Sequence, residues 1–175
     1  MTKEGFTSSN MKCLKCNGKV FMNGFCKSHF IENIEKRVKK DIRRNNLIKK
    51  NETLVVKDPL CRYFISRVLN IPVKMAEKGK GREILFWTMD DEVLAFLTAL
   101  FSRRKMKNGS KKIIKLLRTV KDKELEAYAK LKKIRCRIKR SRKEKNILDE
   151  IDRLEEKHME TRFSLLKSIE ELSRM

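Results

Sequence analysis

The segment TLVVKDPLCRYFISRVLN, residues 53–70, contains the pattern on which the fold depends. Residues 53–56 are β-branched or aliphatic and predict a short strand. Asp58 followed by Pro59 predicts the start of a helix, because aspartate caps helices and proline fits their first turn. The apolar residues of 60–70 then recur on one face of that helix. The segment therefore predicts one strand followed directly by one helix.

A second unit of the same kind follows. Residues 84–87 form an apolar run bounded by charges, which favours a strand buried on both faces. Thr88 or Asp90 can cap the next helix, predicted over residues 91–104. Residues 113–120 are ambiguous between helix and strand. This alternation predicts a helix-rich α/β domain with a small parallel sheet.

The remaining segments are predicted to be loops and flanking helices. Residues 71–82 are rich in glycine and lysine and predict a loop, and Asn108-Gly109 predicts a turn. Further helices are predicted from Lys121 or Asp122 onward, over residues 146–156 and over residues 163–172. Nearer the start of the chain, apolar residues four apart predict an amphipathic helix over residues 30–50; they are Phe30, Ile34, Val38 and Ile42.

The strongest chemical motif is a pair of metal-binding knuckles. Cys13-x2-Cys16 is followed after nine residues by Cys26-x2-His29. Each knuckle presents two donors to one ion, and two knuckles complete the closed tetrahedral shell of a structural zinc site. An iron–sulfur cluster is less favoured, because such clusters usually take four cysteines. A chance grouping of buried cysteines is the remaining alternative.

Charge points to a polyanionic partner. The 175 residues include 45 Lys and Arg but only 23 Asp and Glu, a formal net charge of +22. Two runs, residues 36–50 and 130–145, contain one acid each, which is more typical of a phosphate-binding surface than of a solvated helix face. The predicted RNA-binding residues are Lys36, Arg37, Lys39, Lys40, Arg43, Arg44, Lys130, Lys132, Lys133, Arg135, Arg137, Lys139 and Arg140. A merely solubilising surface is the alternative.

Other compartments and partners are disfavoured. The chain has no apolar run of transmembrane length and no signal-peptide segment at its start, so a cytoplasmic location is expected. The basic helix lacks the broad aromatic face of a membrane-surface helix. The cysteine spacing excludes a disulfide framework and fits a reducing compartment.

Five segments in fixed order resemble those of the tRNA 2-thiouridine synthetases, PP-loop ATP pyrophosphatases that thiolate tRNA uridines. They are the two knuckles with the basic stretch IEKRVKKDIRRNNLIKK at 34–50, the strand at 54–56, the DDE at 90–92, KELEAYA at 123–129, and EEK with RFSLLKS between 155 and 168. The resemblance implies a reduced Rossmann-like sheet of the PP-loop type behind an N-terminal zinc knuckle. It also implies tRNA or another structured RNA as partner.

The departures from the family concern catalysis. Its SGGKDS phosphate loop is replaced by Lys57-Asp58-Pro59-Leu60, and no glycine lies between Gly24 and Gly79. Such loops need glycines because backbone N–H groups must approach the phosphates closely. The family's central block with its CxxC and its C-terminal zinc module have no counterpart, and Phe86-Trp87 replaces the Gly-His before DDE. The resemblance thus implies a shortened, degenerate relative.

We therefore expect a zinc-containing, tRNA-binding pseudoenzyme. Its predicted parts are a zinc knuckle over residues 1–29, a basic helix over 30–50, a reduced α/β domain over 51–140 and C-terminal helices over 141–175. One alternative is an accessory subunit that docks on a full-length tRNA thiolase or a sulfur-carrier protein, or forms a homo-oligomer. The other is an active enzyme that binds ATP with an unusual loop.

Three further groups have competing interpretations. Cys61 lies on an apolar helix face and is expected to be a core residue. Cys136 lies among Arg and Lys, which predicts a lowered pKa and a reactive thiol, although a family relic without function is the favoured interpretation. The acids at 90–92 are either magnesium ligands or first-turn helix residues, and the missing phosphate loop favours the second.

Overall fold

The computed structural model of the protein describes residues 12–102 and 112–172. Its elements in chain order are α1 (Lys27–Arg44), β1 (Thr53–Val56), α2 (Pro59–Tyr63), β2 (Lys74–Ala76), β3 (Arg82–Thr88), α3 (Met89–Phe101), β4 (Ile113–Leu117), α4 (Asp122–Lys132), α5 (Arg142–Lys157) and α6 (Thr161–Leu172). The predicted turn at Asn108-Gly109 lies outside the described residues.

The four strands form one parallel sheet in the order β2-β1-β3-β4. The register pairs Val56 with Ile84 and Ile84 with Ile114, and all three residues are buried. The predicted α/β class with a small parallel sheet is therefore confirmed. Residues 113–120, ambiguous in sequence, contain β4.

Strand β2 was not expected, because residues 71–82 were predicted to be a loop. Its three residues lie at the sheet edge, where they are exposed or half-buried. A short edge strand has no apolar alternation by which sequence can identify it. Gly81 lies where β3 approaches β1, and a Cβ at that position would come within 2.7 Å of the Thr53 carbonyl oxygen. A glycine at this position is therefore required for the two strands to pair.

Helix α1 buries the predicted stripe, and Phe30, Ile34, Val38 and Ile42 are each at most 2% exposed. It begins three residues earlier than predicted and ends at Arg44. The stripe packs with the strands, α2 and α4 in one continuous core. The ring of Phe64 stacks on that of Tyr128 with centroids 5.1 Å apart.

Helix α2 starts as the sequence predicts. Pro59 occupies its first turn, and the Asp58 side chain accepts a hydrogen bond from the Cys61 N–H at 2.9 Å. The helix continues as a π-helical segment, Phe64–Leu69. Cys61 is fully buried, as expected for a core residue.

Helices α3, α5 and α6 pack on one another. Thr88 caps α3, since its hydroxyl accepts from the Asp91 N–H while the Asp91 carboxylate accepts from the Thr88 N–H. Within residues 12–102 and 112–172, every helix is too short or too polar to cross a bilayer.

Candidate metal centre and basic surface

A tight hairpin and the first turn of α1 bring the four metal-ligand candidates together. Asn23 and Gly24 both have positive φ, 50° and 76°, and join residues paired at Met22 and Phe25. Asn-Gly is the preferred sequence for such a two-residue turn. Cys26 is the N-cap of α1 and His29 lies in its first turn. The second knuckle is thereby held by the helix itself.

The ligand atoms have the spacing of a tetrahedral site. The Sγ atoms of Cys16 and Cys26 lie 3.7 Å apart, and His29 Nδ1 lies 3.4 Å from the Sγ atoms of both Cys13 and Cys26. All four donors lie within 4.8 Å of one another. A tetrahedron with Zn–S bonds of about 2.3 Å has an S–S edge of about 3.8 Å. The four residues therefore fit a zinc ion, and they form a group that could bind a metal ion.

The electrostatics of the group also favour a cation. Burial raises the pKa of Cys13, but N–H donors from Lys15 and Cys26 and the His29 side chain outweigh it and lower the pKa to about 6. The Gly18 N–H lowers the pKa of Cys16, but the net shift is upward because burial and the thiols of Cys26 and Cys13 raise it. Thiolates are the metal-binding form of cysteine, and several crowded together need a positive ion.

Glu124 connects the metal group to the body of the protein. Its carboxylate accepts hydrogen bonds from Asn23 Nδ2 at 2.8 Å and from both terminal nitrogens of Arg37 at 2.7 and 2.9 Å. It also accepts from the Lys121 N–H at 3.0 Å, which caps α4. Arg37 further donates to the Thr119 carbonyl oxygen. One buried acid thus joins the knuckle, α1 and α4.

The turn after β1, residues 57–60, is the segment that the sequence comparison matched to the SGGKDS phosphate loop. Here the Asp58 carboxylate is directed at the Cys61 N–H of α2. A carboxylate in this position places negative charge at the helix N-terminus that would otherwise attract a phosphate. The geometry of this turn is that of a capped helix start.

The acids at 90–92 all have internal partners. Asp90 pairs with Arg162 at 2.6 Å, with side chains only 4% and 3% exposed, and Asp91 pairs with Arg140 at 2.5 Å. Glu92 accepts from Lys115 at 2.7 Å and from the Trp87 indole. Burial raises the pKa of Asp90. These contacts support the interpretation of the DDE as a structural helix start.

The expectation of a lowered pKa at Cys136 is wrong. Burial, followed by the charges of Asp58, Glu126 and Asp122, raises the pKa of its thiol to about 11. The adjacent arginines do not offset this, because Arg135 and Arg137 are exposed while Cys136 packs against the core. A thiol with this pKa is protonated and unreactive at neutral pH.

Helix α1 presents part of its basic run to solvent. Lys36, Lys40 and Arg43 are exposed, and Lys39 is half-buried. Arg44 is 61% exposed and lies 3.9 Å from Glu170. Arg37 differs from these, since its guanidinium is committed to Glu124 and Thr119.

In the second basic run, side chains of residues 133–139 alternate between solvent and the protein core. Between α4 and α5 the chain has neither helix nor strand, and Ile134, Cys136 and Ile138 pack against the core. Arg140 pairs with Asp91 and Asp122. The four basic residues that alternate with these core contacts face solvent, and none has an ion-pair partner among the described residues. We name them the cation row; they are Lys133, Arg135, Arg137 and Lys139. Lys130 is also exposed, whereas Lys132 pairs with Glu35 at 3.2 Å.

The described chain is therefore a parallel α/β protein with an N-terminal Cys3His group that could bind a metal ion. Its fold is similar to that of the U34-tRNA thiolase NcsA from Methanococcus maripaludis, solved with its [4Fe-4S] cluster. The TM-score is 0.72 at 15% sequence identity, and the similarity covers 94% of this chain and 88% of that chain. At this level of identity, the structural similarity establishes a shared fold and nothing more. No protein-family model and no curated protein matches the sequence.

Sequence reasoning missed the residues that organise the interior. Glu124 lies within KELEAYA, where the only sequence signal is the family resemblance, and Arg140 lies in a basic run that predicts RNA binding. Arg162 makes ion pairs with Asp90, Asp152 and Glu155 at 2.6 to 2.8 Å while only 3% exposed. Partners 7 to 72 residues away in sequence leave no local signal.

Proposed function

We propose that this protein is a zinc-containing, non-catalytic RNA-binding protein built on the fold of a tRNA thiolase, with tRNA or a similarly folded RNA as its ligand. The cation row is the observation that carries the proposal. Its four side chains occupy alternate positions, so the Cα atoms of neighbouring members are at most about 7 Å apart. A row of unpaired cations on a well-packed segment favours contacts to consecutive phosphates.

Exposed cations of α1 supply a second group of phosphate contacts. Arg37, Lys132 and Arg140 are left out of the proposed surface, because their charges are used in internal ion pairs. The solved protein with the similar fold is named a U34-tRNA thiolase, which makes tRNA the first RNA to test. Zinc is proposed as the metal because three cysteines and one histidine suit its tetrahedral preference.

Binding to RNA is expected to be strongly salt-dependent. If about 5–8 phosphates are contacted, the slope of log affinity against log salt is about −4 to −7. Replacing Lys133, Arg135 and Arg137 with glutamate should flatten this slope by about 3, because each lost phosphate contact removes roughly one unit. Filter binding of folded tRNA at several salt concentrations measures the slope.

The matched control carries the same charge change outside both basic runs, at the exposed residues Lys78, Lys80 and Lys157. An equal loss in both triple variants would mean that net charge alone attracts the RNA. Single-stranded RNA of the same length tests for shape. Equal affinity for both RNAs at every salt concentration would contradict recognition of folded tRNA.

We expect no binding of Mg-ATP at sub-millimolar concentrations. The turn after β1 has no glycine, and Asp58 places a carboxylate at the start of α2. Without glycine, backbone N–H groups cannot approach a phosphate closely. The Asp58 carboxylate also repels the negative charge of a phosphate. Isothermal titration calorimetry tests this expectation. A micromolar dissociation constant would overturn the non-catalytic proposal and favour an active enzyme with an unusual loop.

One observation favours a second function, that of an accessory subunit. Leu154 and Met159 are 51% and 83% exposed, beside a groove between α5 and α6. Exposed apolar side chains around a groove are typical of protein contacts. Under this alternative the RNA is held mainly by a partner such as a full-length thiolase, and the isolated chain binds tRNA no better than other basic proteins do.

A further inference from the structure

A cleft between α1 and α6 has features that the phosphate surface alone does not explain. It has a volume of about 290 Å³ and lies beside the loop that follows β4. One side is apolar and includes Phe163 and Leu166. The other sides include Lys40, Arg44 and Lys167. Ligand pockets combine an apolar wall with a few placed polar groups in this way.

The cations of the cleft are available to a ligand. Lys40 and Lys167 are exposed and have no ion-pair partner within the described parts of the chain. Arg44 lies 3.9 Å from Glu170, at the limit of an ion pair. The acids that line the cleft are engaged, because Asp41 and Glu170 both accept hydrogen bonds from Arg118 at 2.8 to 3.0 Å. The uncommitted charge of the cleft is therefore positive.

Two buried polar atoms lack partners at the same place. They are Arg37 Nε and the Thr119 hydroxyl, the only such side-chain atoms among the described residues. Both residues line the cleft. Unsatisfied buried groups are rare in folded proteins, and their clustering often marks a position that a ligand or water completes. Both atoms are hydrogen-bond donors, so donors without acceptors lie beneath this part of the cleft.

We propose that the α1–α6 cleft binds one unpaired nucleotide of the RNA, a refinement that rests on the proposed RNA-binding function. The base packs against Phe163 and Leu166, and the phosphate is held by Lys40, Arg44 and Lys167. Unstacked bases are commonly held against aromatic side chains in this way. A cleft of about 290 Å³ is large enough for a single nucleotide.

The test uses the double variant Lys40→Ala/Lys167→Ala. Its matched control is Lys78→Ala/Lys157→Ala, which removes the same charge from exposed positions outside the cleft and outside both basic runs. With free uridine monophosphate as probe, amide chemical shifts at Thr119 and Lys167 should move on titration to the wild-type and control proteins. The cleft variant should bind about 10- to 100-fold more weakly, because two charge-assisted contacts are lost.

A second arm uses tRNA carrying 5-iodouridine at single unpaired positions. Irradiation followed by mass spectrometry should give a crosslink to Phe163 from a small number of positions, reduced in the cleft variant and kept in the control. RNA binding that is equally affected in both double variants, with crosslinks spread along α1, would overturn the cleft and leave the RNA-binding proposal standing. Shifts with the mononucleotide but no tRNA binding above that of other basic proteins would overturn RNA binding and keep a nucleotide site.

Discussion

Replacing Cys16 with serine is expected to abolish tight metal binding and to unfold residues 12–26, while the sheet and its helices remain folded. The wild-type protein should contain one zinc ion per chain. Structural zinc in small modules contributes about 10–16 kcal/mol of apparent binding free energy, and the knuckle is too small to fold without it. Elemental analysis gives the stoichiometry, and amide hydrogen exchange gives the extent of unfolding.

The control is Cys136→Ser, since Cys136 lies outside the metal group. It should keep its metal and the protection of residues 12–26 against hydrogen exchange. Less than about half an equivalent of metal in wild-type protein purified without chelator would contradict a structural metal site. Iron in place of zinc would contradict the zinc assignment while preserving the site.

Substituting Glu124 with glutamine is expected to lower the free energy of unfolding by about 3–5 kcal/mol, the usual cost of leaving a buried charge without its partner. The Glu124 side chain is 5% exposed and that of Arg37 is 20% exposed. The substitution removes the charge opposite Arg37 and weakens the bonds from Asn23 and Lys121. Denaturant unfolding of the metal-loaded protein measures the loss.

Two variants make this test specific. Glu126 lies on the same helix and is exposed. The substitution Glu126→Gln should therefore change the free energy of unfolding by less than about 0.5 kcal/mol. Arg37→Met combined with Glu124→Gln should cost less than the sum of the single substitutions, because the double variant leaves no unpaired charge. Additive losses would show that the two side chains are not coupled.

Cations of the two basic runs have two different roles that the sequence alone does not distinguish. Some form internal ion pairs, and others are exposed to solvent. Arg140 and Lys139 are neighbours in the same basic run, yet Arg140 pairs with Asp91 and Asp122 and Lys139 is exposed. Arg37 and Lys36 differ in the same way. A substitution at Arg37 or Arg140 would weaken RNA binding through loss of stability. The cation row is the cleaner place to test RNA contacts.

The amino-acid sequence by itself determined the features that depend on short spacings. The strands at β1 and β3, the caps at Asp58 and Thr88 and the buried stripe of α1 follow from local propensity and periodicity. The metal group also follows, because two residues between ligands set the shape of each knuckle. Even the overall α/β class was accessible, since alternation of strand and helix constrains the connections.

Only the tertiary structure decided which charges face inward. Glu124 joins Asn23 and Arg37, and Arg162 joins Asp90 and Asp152, across as many as 101 residues of sequence. The α1–α6 cleft likewise combines side chains of two helices from opposite ends of the chain. The physical reason is that a charged side chain stays hydrated or is buried depending on which elements pack against it. Those packing partners are set by the order of the strands and the docking of the helices over the whole chain.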